Sequence, residues 1–267
     1  MTSPTIPHVV ESDNLSLGWT EIVHTLVQPG TRSISPLVFT LTGFDGRGEA
    51  QERPAIRSAL DTMLTNIGKR DCENVAFTIF PQKHYVLSGG DREEFFEMFR
   101  EAFPRIQELN PRNNRRGSYF QRLIDYEGGN TGINQLEWIL REYERNPSGR
   151  RSKWQATTFD PHRDYTASAQ LEFPCLQQVS FTFSDDGGLI VNAFYATQQI
   201  IRKAYGNYLG LTRLGAFMAK EMGLKLERLN VFVGVAQADE AKKSDPQFQA
   251  LLQVIETERA ACTPVDA

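Results

Sequence analysis

The 267-residue sequence predicts an α+β fold organised as one domain over residues 1–267. Three observations support this prediction. Segments with a helical period and segments rich in β-branched and aromatic residues both occur along the whole chain. No internal repeat or low-complexity tract interrupts their order. The composition, 40% hydrophobic and 23% charged, is typical of a protein that buries a substantial core.

The first third of the chain contains two predicted helices and two predicted strands. Residues 16–27 carry apolar side chains at a helical period, and Pro29-Gly30 ends that helix. Residues 37–44 alternate roughly and predict a strand, whereas residues 52–67 again show a helical period. The β-branched and aromatic run at 74–80 predicts a second, buried strand.

The remaining elements follow in a mixed order. Apolar residues three and four apart predict amphipathic helices at 92–103 and 132–143, and the polar segment 110–116 predicts a loop between them. The turn residues Asp185-Asp186-Gly187-Gly188 predict a β-hairpin. The other predicted elements are strands at 153–159, 179–183, 189–195 and 229–236, and helices at 208–222 and 245–258.

Charge and cysteine content exclude several classes of protein. The net charge of -4 arises from interspersed acids and bases, so binding to a nucleic acid polymer or to an anionic membrane is not expected. The three cysteines, Cys72, Cys175 and Cys262, have no metal-type spacing, which argues against a zinc site and a disulfide framework. No basic leader followed by an apolar stretch and no run of about 18 apolar residues occurs. We therefore expect a cytoplasmic protein with reduced thiols, no metal site and no membrane association.

Five short motifs follow one another in the second half of the chain. They are Asn146-Pro147-Ser148-Gly149-Arg150-Arg151, Phe159-Asp160-Pro161, Phe173-Pro174-Cys175, Tyr205-Gly206-Asn207 and the segment FMAKEMGL at 217–224. In order, spacing and residue type they resemble the P-x-S-R-R, W-N-P, P-C-H and P-F-N motifs and a helix end of the thymidylate synthase superfamily, which includes pyrimidine nucleotide hydroxymethylases. The resemblance implies a large mixed β-sheet covered by helices on one face. It also implies a homodimer in which the two sheets pack together and each site borrows arginines from its neighbour.

Cys175 is the candidate nucleophile. The resemblance implies that its thiolate adds to C6 of a pyrimidine ring and makes C5 nucleophilic toward a one-carbon electrophile, which requires a nearby cation to lower the thiol pKa. Considered alone, a free cysteine is more often buried and inert. Tyr119, in Gly117-Ser118-Tyr119-Phe120, resembles the active-site tyrosine of the family's Y-G-x-Q-W-R segment.

Four residues resemble the family's substrate-binding groups. Arg150 and Arg151 resemble the pair that holds the phosphate of the partner's substrate, and Arg32 resembles the arginine of the flexible phosphate loop. Guanidinium groups suit this role because they bind phosphate oxygens two at a time. Asn207 resembles the asparagine that reads the base, which favours a uracil-type ring. The alternatives are a solvated charged turn for the arginines and an N-cap of the helix at 208–222 for Asn207.

Other positions depart from the family pattern or match it only in part. Thr197 falls on the phosphate-binding serine, and the third phosphate arginine is Ala196. Gln199 replaces the aspartate that helps to hold the folate pterin, and Gln237 replaces the histidine that holds the sugar hydroxyl. Val265 resembles part of the C-terminal segment that closes over the site.

No residue matches the family's general-acid glutamate. Asp61 and Thr62 are the nearest candidates on the predicted second helix. This much loss of polar groups implies an altered ligand, an altered reaction or loss of catalysis.

Three functions remain open from the sequence. The first is transfer of a methyl or hydroxymethyl group from 5,10-methylenetetrahydrofolate to C5 of a uracil-type pyrimidine nucleotide or nucleoside. The second is a catalytically altered or inactive homodimer that binds nucleotides. The third is an unrelated thiol enzyme, for which His162 is the histidine to consider.

Overall fold

The computed structural model describes residues 6–114, 116–127, 132–165, 174–239 and 244–262. Within them the strands are β1 (His8–Ser12), β2 (Ser33–Ile34), β3 (Leu37–Leu41), β4 (Gln155–Thr157), β5 (Leu176–Phe183), β6 (Leu189–Gln199) and β7 (Leu226–Gln237). The α-helices are α1 (Leu15–Leu26), α2 (Pro54–Asn66), α3 (Cys72–Ala76), α4 (Gln82–Leu87), α5 (Arg92–Leu109), α6 (Pro111–Asn114), α7 (Tyr119–Ile124), α8 (Gln135–Arg145), α9 (Pro161–Asp164), α10 (Tyr205–Glu221) and α11 (Pro246–Cys262). A short 3₁₀ helix covers Arg151–Lys153, and a π-helical turn, Ile200–Ala204, joins β6 to α10.

The strands form one mixed sheet in the order β1-β3-β7-β6-β5-β4, and β2 pairs with the end of β7. β1 is parallel to β3 and β6 is parallel to β7, whereas the other pairs are antiparallel. The predicted hairpin between β5 and β6 is present, closed by the backbone bond from Ser184 to Gly188 at 2.9 Å. The α+β class and the mixed sheet are therefore confirmed.

Helices cover one face of this sheet. Register partners on that face, among them Phe39, Val231 and Val191, are fully buried. Tyr208 of α10 stacks on Phe39 with ring centroids 4.4 Å apart, and Gly215 of α10 lies close against Val191. Because a sheet is stable when at least one face is buried, this helical layer supplies the core.

The opposite face remains open over its centre. Phe194 of β6 and Phe232 of β7 lie side by side with ring centroids 5.7 Å apart, yet they stay 41% and 43% exposed. Val9 on the edge strand β1 is 52% exposed. Adjacent exposed aromatic side chains on a flat sheet are typical of a surface that another chain covers.

The prediction of a strand at 74–80 is wrong. The segment begins with α3, and the Asp71 side chain caps this helix by accepting a hydrogen bond from Asn74 N at 2.7 Å. Burial of Cys72, Val75 and Ala76 follows a helical spacing rather than alternation. The β-branched composition was overridden by the cap and by packing against α10.

Two smaller expectations also change. The polar segment predicted as a loop at 110–116 contains the short helix α6. α10 begins at Tyr205, so Asn207 lies inside that helix and does not cap it. No helix in the described ranges combines the length and the apolar character needed to cross a lipid bilayer.

Candidate functional site

Cys175 lies immediately before β5, at the end of the sheet where β6 and β7 finish. Its carbonyl oxygen accepts a hydrogen bond from Ala196 N at 3.1 Å, which ties the residue to β6. The Cys175 Sγ lies 3.9 Å from Thr197 Oγ1 on the same strand. The side chain is partly buried, so a small ligand could reach the sulfur. The structure thus brings Thr197, the residue that falls on the family's phosphate-binding serine, next to Cys175.

The electrostatic environment of the thiol has opposing contributions. Burial raises the pKa of Cys175 above its usual range, while the Thr197 hydroxyl and the Lys203 ammonium act to lower it. Lys203 belongs to the π-helical turn that follows β6. Its own pKa falls to about 8, chiefly through burial and then through the nearby Arg70 guanidinium. Without a ligand, the thiol is therefore mostly protonated at neutral pH.

Three tyrosines gather behind Cys175. Tyr119 Oη, at the start of α7, accepts a hydrogen bond from Leu176 N at 3.5 Å, and burial raises the pKa of its phenol. Tyr195 Oη is fully buried and has no hydrogen-bond partner among the described residues. Burial raises the pKa of this phenol most, followed by the nearby Tyr119, Tyr208 and Cys175. Tyr208 donates a hydrogen bond to Gln198 Oε1 at 2.8 Å. The sequence singled out Tyr119, whereas Tyr195 carried no motif that would have revealed it.

Asn207 lies in the first turn of α10 and is 4% exposed. Its side-chain amide forms no hydrogen bond with another described residue, and neither amide atom is among the fully buried atoms that lack a partner. The amide therefore keeps contact with solvent. A side-chain amide that the protein does not engage can offer both a donor and an acceptor to a ligand.

Several predicted binding residues meet at the same end of the sheet. In the strand register Gln199 pairs with Gln237, and Gln237 pairs with Ser33, which directly follows Arg32. The side chains of Arg32, Gln199 and Gln237 are exposed. The strand pairing therefore gathers Thr197, Gln199, Gln237 and Arg32 at one edge, although they come from distant parts of the sequence.

Arg150 and Arg151 do not join this group within one chain. They precede β4, which runs antiparallel to β5. Just before β4, Trp154 O accepts a hydrogen bond from Phe181 N at 2.8 Å, so the start of β4 lies beside Phe181 and not beside Cys175. Cys175 stands six positions before Phe181, and six residues of strand span roughly 20 Å. Both arginines are exposed. They lie toward the opposite end of the strand pair from the thiol of their own chain.

The remaining candidates divide into two groups. Val265 lies outside the described residues. Asp61 accepts a hydrogen bond from Cys72 N at 2.7 Å and forms an ion pair with Arg57 at 2.8 Å. Among the described residues it forms no hydrogen bond with Cys175, Thr197 or Tyr119. His162 is exposed on α9.

A buried ion pair supports this part of the molecule. Arg122 of α7 donates to both carboxylate oxygens of Asp164, at 2.5 and 2.8 Å, and also to Thr158 O at 2.7 Å. The side chains are 3% and 0% exposed. Asp164 accepts a further hydrogen bond from Asp160 N at 2.8 Å. The pair connects the helix that carries Tyr119 to the segment that leads toward Cys175.

Sequence reasoning missed Lys203, which acts on the thiol, and Arg70, which acts on Lys203. Lys203 stands four residues before Asn207, but the family pattern assigns no role to that position. Arg70 belongs to a segment without convincing resemblance to the family. Only folding brings Lys203 close to Cys175 and Arg70 close to Lys203.

Comparison with known proteins gives partial matches. No protein-family model matches the chain. It is 30% identical over 108 residues to a protein of Methanocaldococcus jannaschii named "Putative thymidylate synthase", covering 40% of this chain and 47% of the relative. A protein of the same name from Methanopyrus kandleri is 28% identical over 114 residues, covering 43% of this chain and 52% of the relative.

A third protein of that name, from Methanothermobacter thermautotrophicus, is 23% identical over 235 residues, which is 83% of this chain and 89% of the relative. In the first two comparisons the chain spans about half the length of the relative. The chain is thus similar to archaeal proteins named for thymidylate synthesis, in agreement with the motifs around Cys175.

Proposed function

We propose that this protein catalyses a thymidylate synthase-like transfer of one carbon, as a methyl or hydroxymethyl group, to C5 of a uracil-type pyrimidine nucleotide or nucleoside. The observation that carries the proposal is the grouping of a partly buried thiol, Cys175, with Thr197, Tyr119 and Lys203 at one end of a mixed sheet. The similarity to archaeal relatives named for this activity supports it. We extend it to one thymidylate synthase-like domain over residues 1–267.

In this mechanism Cys175 acts as the nucleophile. A bond forms between its Sγ and C6 of the ring, and the electron pair of the C5–C6 double bond moves toward C5 and the O4 carbonyl. C5 then attacks a one-carbon electrophile at the formaldehyde oxidation level, whose carbon–heteroatom π pair moves onto the heteroatom, and C5 loses its proton. The carrier leaves the new carbon, which gains water to give a hydroxymethyl group or a hydride from a reduced carrier to give a methyl group. The electron pair that returns to the C5–C6 bond expels Sγ from C6 as a thiolate. Asn207 offers one donor and one acceptor to the O4 and N3 edge of the base.

Polar groups around the site would bind the rest of the substrate. By the sequence resemblance, Thr197 and Arg32 would bind the phosphate and Gln237 would bind the sugar. Tyr119 contacts the backbone next to the nucleophile and would hold it in position. Lys203 favours the thiolate by charge.

The resemblance implies 5,10-methylenetetrahydrofolate as the donor of the carbon, and the described residues fit it incompletely. The family's pterin-binding carboxylate is replaced by the neutral, exposed Gln199. An amide cannot act as an anionic acceptor for the protonated edge of a pterin. The roles given above to the residues of this chain do not depend on the folate. The adduct experiment below, run with and without methylenetetrahydrofolate, tests whether the protein uses it.

The proposal includes a homodimer formed through the open sheet face. Phe194 and Phe232 would then be covered, as their exposure demands. Arg150 and Arg151 are too far from their own Cys175 to share a ligand with it, so they would serve the partner's site. Mixing a Cys175→Ala chain with an Arg150→Ala/Arg151→Ala chain should restore one intact site per mixed dimer. If mixing restores none of the activity, the shared-site arrangement is wrong.

Trapping of a covalent adduct tests the reaction itself. The protein is incubated with 5-fluoropyrimidine nucleosides and nucleotides, each with and without methylenetetrahydrofolate, and analysed by intact mass and peptide mapping. Fluorine at C5 blocks the loss of the proton, so a stable adduct on Cys175 is expected, and Cys72, which is 2% exposed, is the internal control. A folded protein that binds these analogues without any adduct would instead be a catalytically inactive nucleotide-binding protein.

A further inference from the structure

Two partly buried cations lie on one side of Cys175, with Lys203 acting on the thiol and Arg70 acting on Lys203. Arg70 precedes α3, and Lys203 lies in the π-helical turn before α10. Neither forms an ion pair within 4.0 Å with any acid in the described part of the chain. The one hydrogen bond of the Arg70 side chain is to the neutral amide of Asn114, at 3.4 Å. Neither of these partly buried positive charges is thus paired with a described acid at ion-pair distance, and Asp239 offsets the Lys203 charge only from farther away.

Backbone packing brings these two residues together. A Cβ added to Gly206 would lie 2.6 Å from Cys72 O and 2.6 Å from Val75 Cβ. The chain at the start of α3 therefore touches the chain at the start of α10. Arg70 is two residues before Cys72, and Lys203 is three residues before Gly206. The lowering of the Lys203 pKa by Arg70 agrees with this proximity.

Other charged groups in the vicinity do not neutralise the pair. Asp239 faces Lys203, but its carboxylate is held by the turn itself, where it accepts a hydrogen bond from Arg202 N at 2.8 Å. Arg202 adds positive charge to the same region. Burying cations without a counter-ion costs free energy, and such a cost is recovered when an anionic ligand binds.

We propose that Arg70 and Lys203 together form a binding site for one oxyanion of the ligand, a phosphate or a carboxylate group, beside Cys175. By the sequence resemblance, the family has a phosphate-binding arginine at the position of Ala196. The proposed site would supply positive charge that this chain lacks there. The inference rests on the proposed function only in placing the reacting ring at Cys175. Two sources share the required chemistry: the phosphate of a pyrimidine nucleotide and the glutamate carboxylates of a folate-type donor.

Binding measurements on the full chain test this site and separate the two sources. Titration calorimetry compares deoxyuridine monophosphate with deoxyuridine, and 4-aminobenzoylglutamate with 4-aminobenzamide. The variants are Arg70→Met, Lys203→Met and the double variant, and Lys225→Met is the control because Lys225 is exposed at the opposite end of β7. Removal of either charge should weaken the affinity for the anionic compound of one of these two pairs about tenfold, as expected for loss of a charge-assisted hydrogen bond. The affinity for the neutral compound of that pair should not change.

Each outcome decides the question. A loss confined to the nucleotide assigns the site to phosphate, and a loss confined to the glutamate compound assigns it to carboxylate. Unchanged affinity for both anions in the double variant, or no binding of either anion to the parent protein, overturns the inference. Because calorimetry needs no turnover, it is repeated with Cys175→Ala. Anion binding that persists there without any fluoropyrimidine adduct in the parent protein would refute the proposed reaction and keep the oxyanion site.

Discussion

Replacement of Asp164 by asparagine should strongly destabilise the fold. Asp164 is fully buried and accepts two hydrogen bonds from the Arg122 guanidinium, at 2.5 and 2.8 Å. Asparagine keeps the shape and one acceptor oxygen but removes the negative charge, so the buried guanidinium is left with neutral acceptors such as the carbonyl oxygens of Thr158 and Arg116 and with no counter-ion. Breaking a buried pair in this way typically costs about 3–5 kcal/mol.

That cost translates into a measurable change in melting temperature. For chains of roughly 150–250 residues, 1 kcal/mol shifts the midpoint by about 2–4 °C, so Asp164→Asn should lower it by about 10 °C. Thermal unfolding followed by circular dichroism measures the shift. Because the pair also holds α7, which carries Tyr119, the reactivity of Cys175 toward alkylation should change as well.

Two further variants control for this interpretation. Arg141 and Glu93 form an ion pair at 3.5 Å whose side chains are 59% and 78% exposed, so Glu93→Gln should cost no more than about 0.5 kcal/mol. The double variant Arg122→Met/Asp164→Leu removes both charges and should recover part of the loss. A midpoint lowered by less than about 2 °C in Asp164→Asn would refute the view that this pair supports the site.

Three other predictions concern the neighbourhood of Cys175. Burial holds the Lys203 pKa at about 8, below its unfolded value of 10.5, so the stability cost of this lysine grows as the pH falls from about 10.5 to about 8 and is fully present below that. Lys203→Met should therefore raise the melting temperature more at pH 7 than at pH 10, and an equal effect at both would contradict this. Gly206→Ala should cost about 1–3 kcal/mol by urea unfolding, because its Cβ would meet backbone at 2.6 Å, whereas Gly46→Ala, with open space around it, should be neutral. Thr197→Val should raise the pKa of Cys175 further, seen as slower iodoacetamide labelling at pH 8; faster labelling would exclude the inferred hydrogen bond.

The position of the candidate site was predictable where a motif places a residue directly beside the sheet. Cys175 follows Phe173-Pro174 and precedes the hairpin, and the hairpin turn was evident from Asp185-Asp186-Gly187-Gly188. The contact of Cys175 with Thr197 follows from that hairpin, since the antiparallel register brings the two strand ends together. The local pattern therefore carried enough information for this part of the site.

The failures have a different physical origin. The segment at 74–80 has the composition of a strand, but the Asp71 cap and contacts with α10 make its first residues helical. The sequence offered Asn207 as a cap of a helix that begins at residue 208. In the structure a π-helical turn leads directly into α10 at Tyr205, so Asn207 lies inside the helix. In both cases tertiary packing outweighed a local preference of a fraction of a kcal/mol.

By itself the sequence determined the α+β class, the hairpin, most helices and the nucleophile candidate, because periodicity, turn chemistry and motif spacing are local properties of the chain. Only the tertiary structure decided which charges surround the thiol. Arg70 and Lys203 are separated by about half of the sequence, and they meet because the backbone at Gly206 packs against the start of α3. Charges act through space and not along the chain, so the electrostatics of Cys175 became visible only after the strands and helices were assembled.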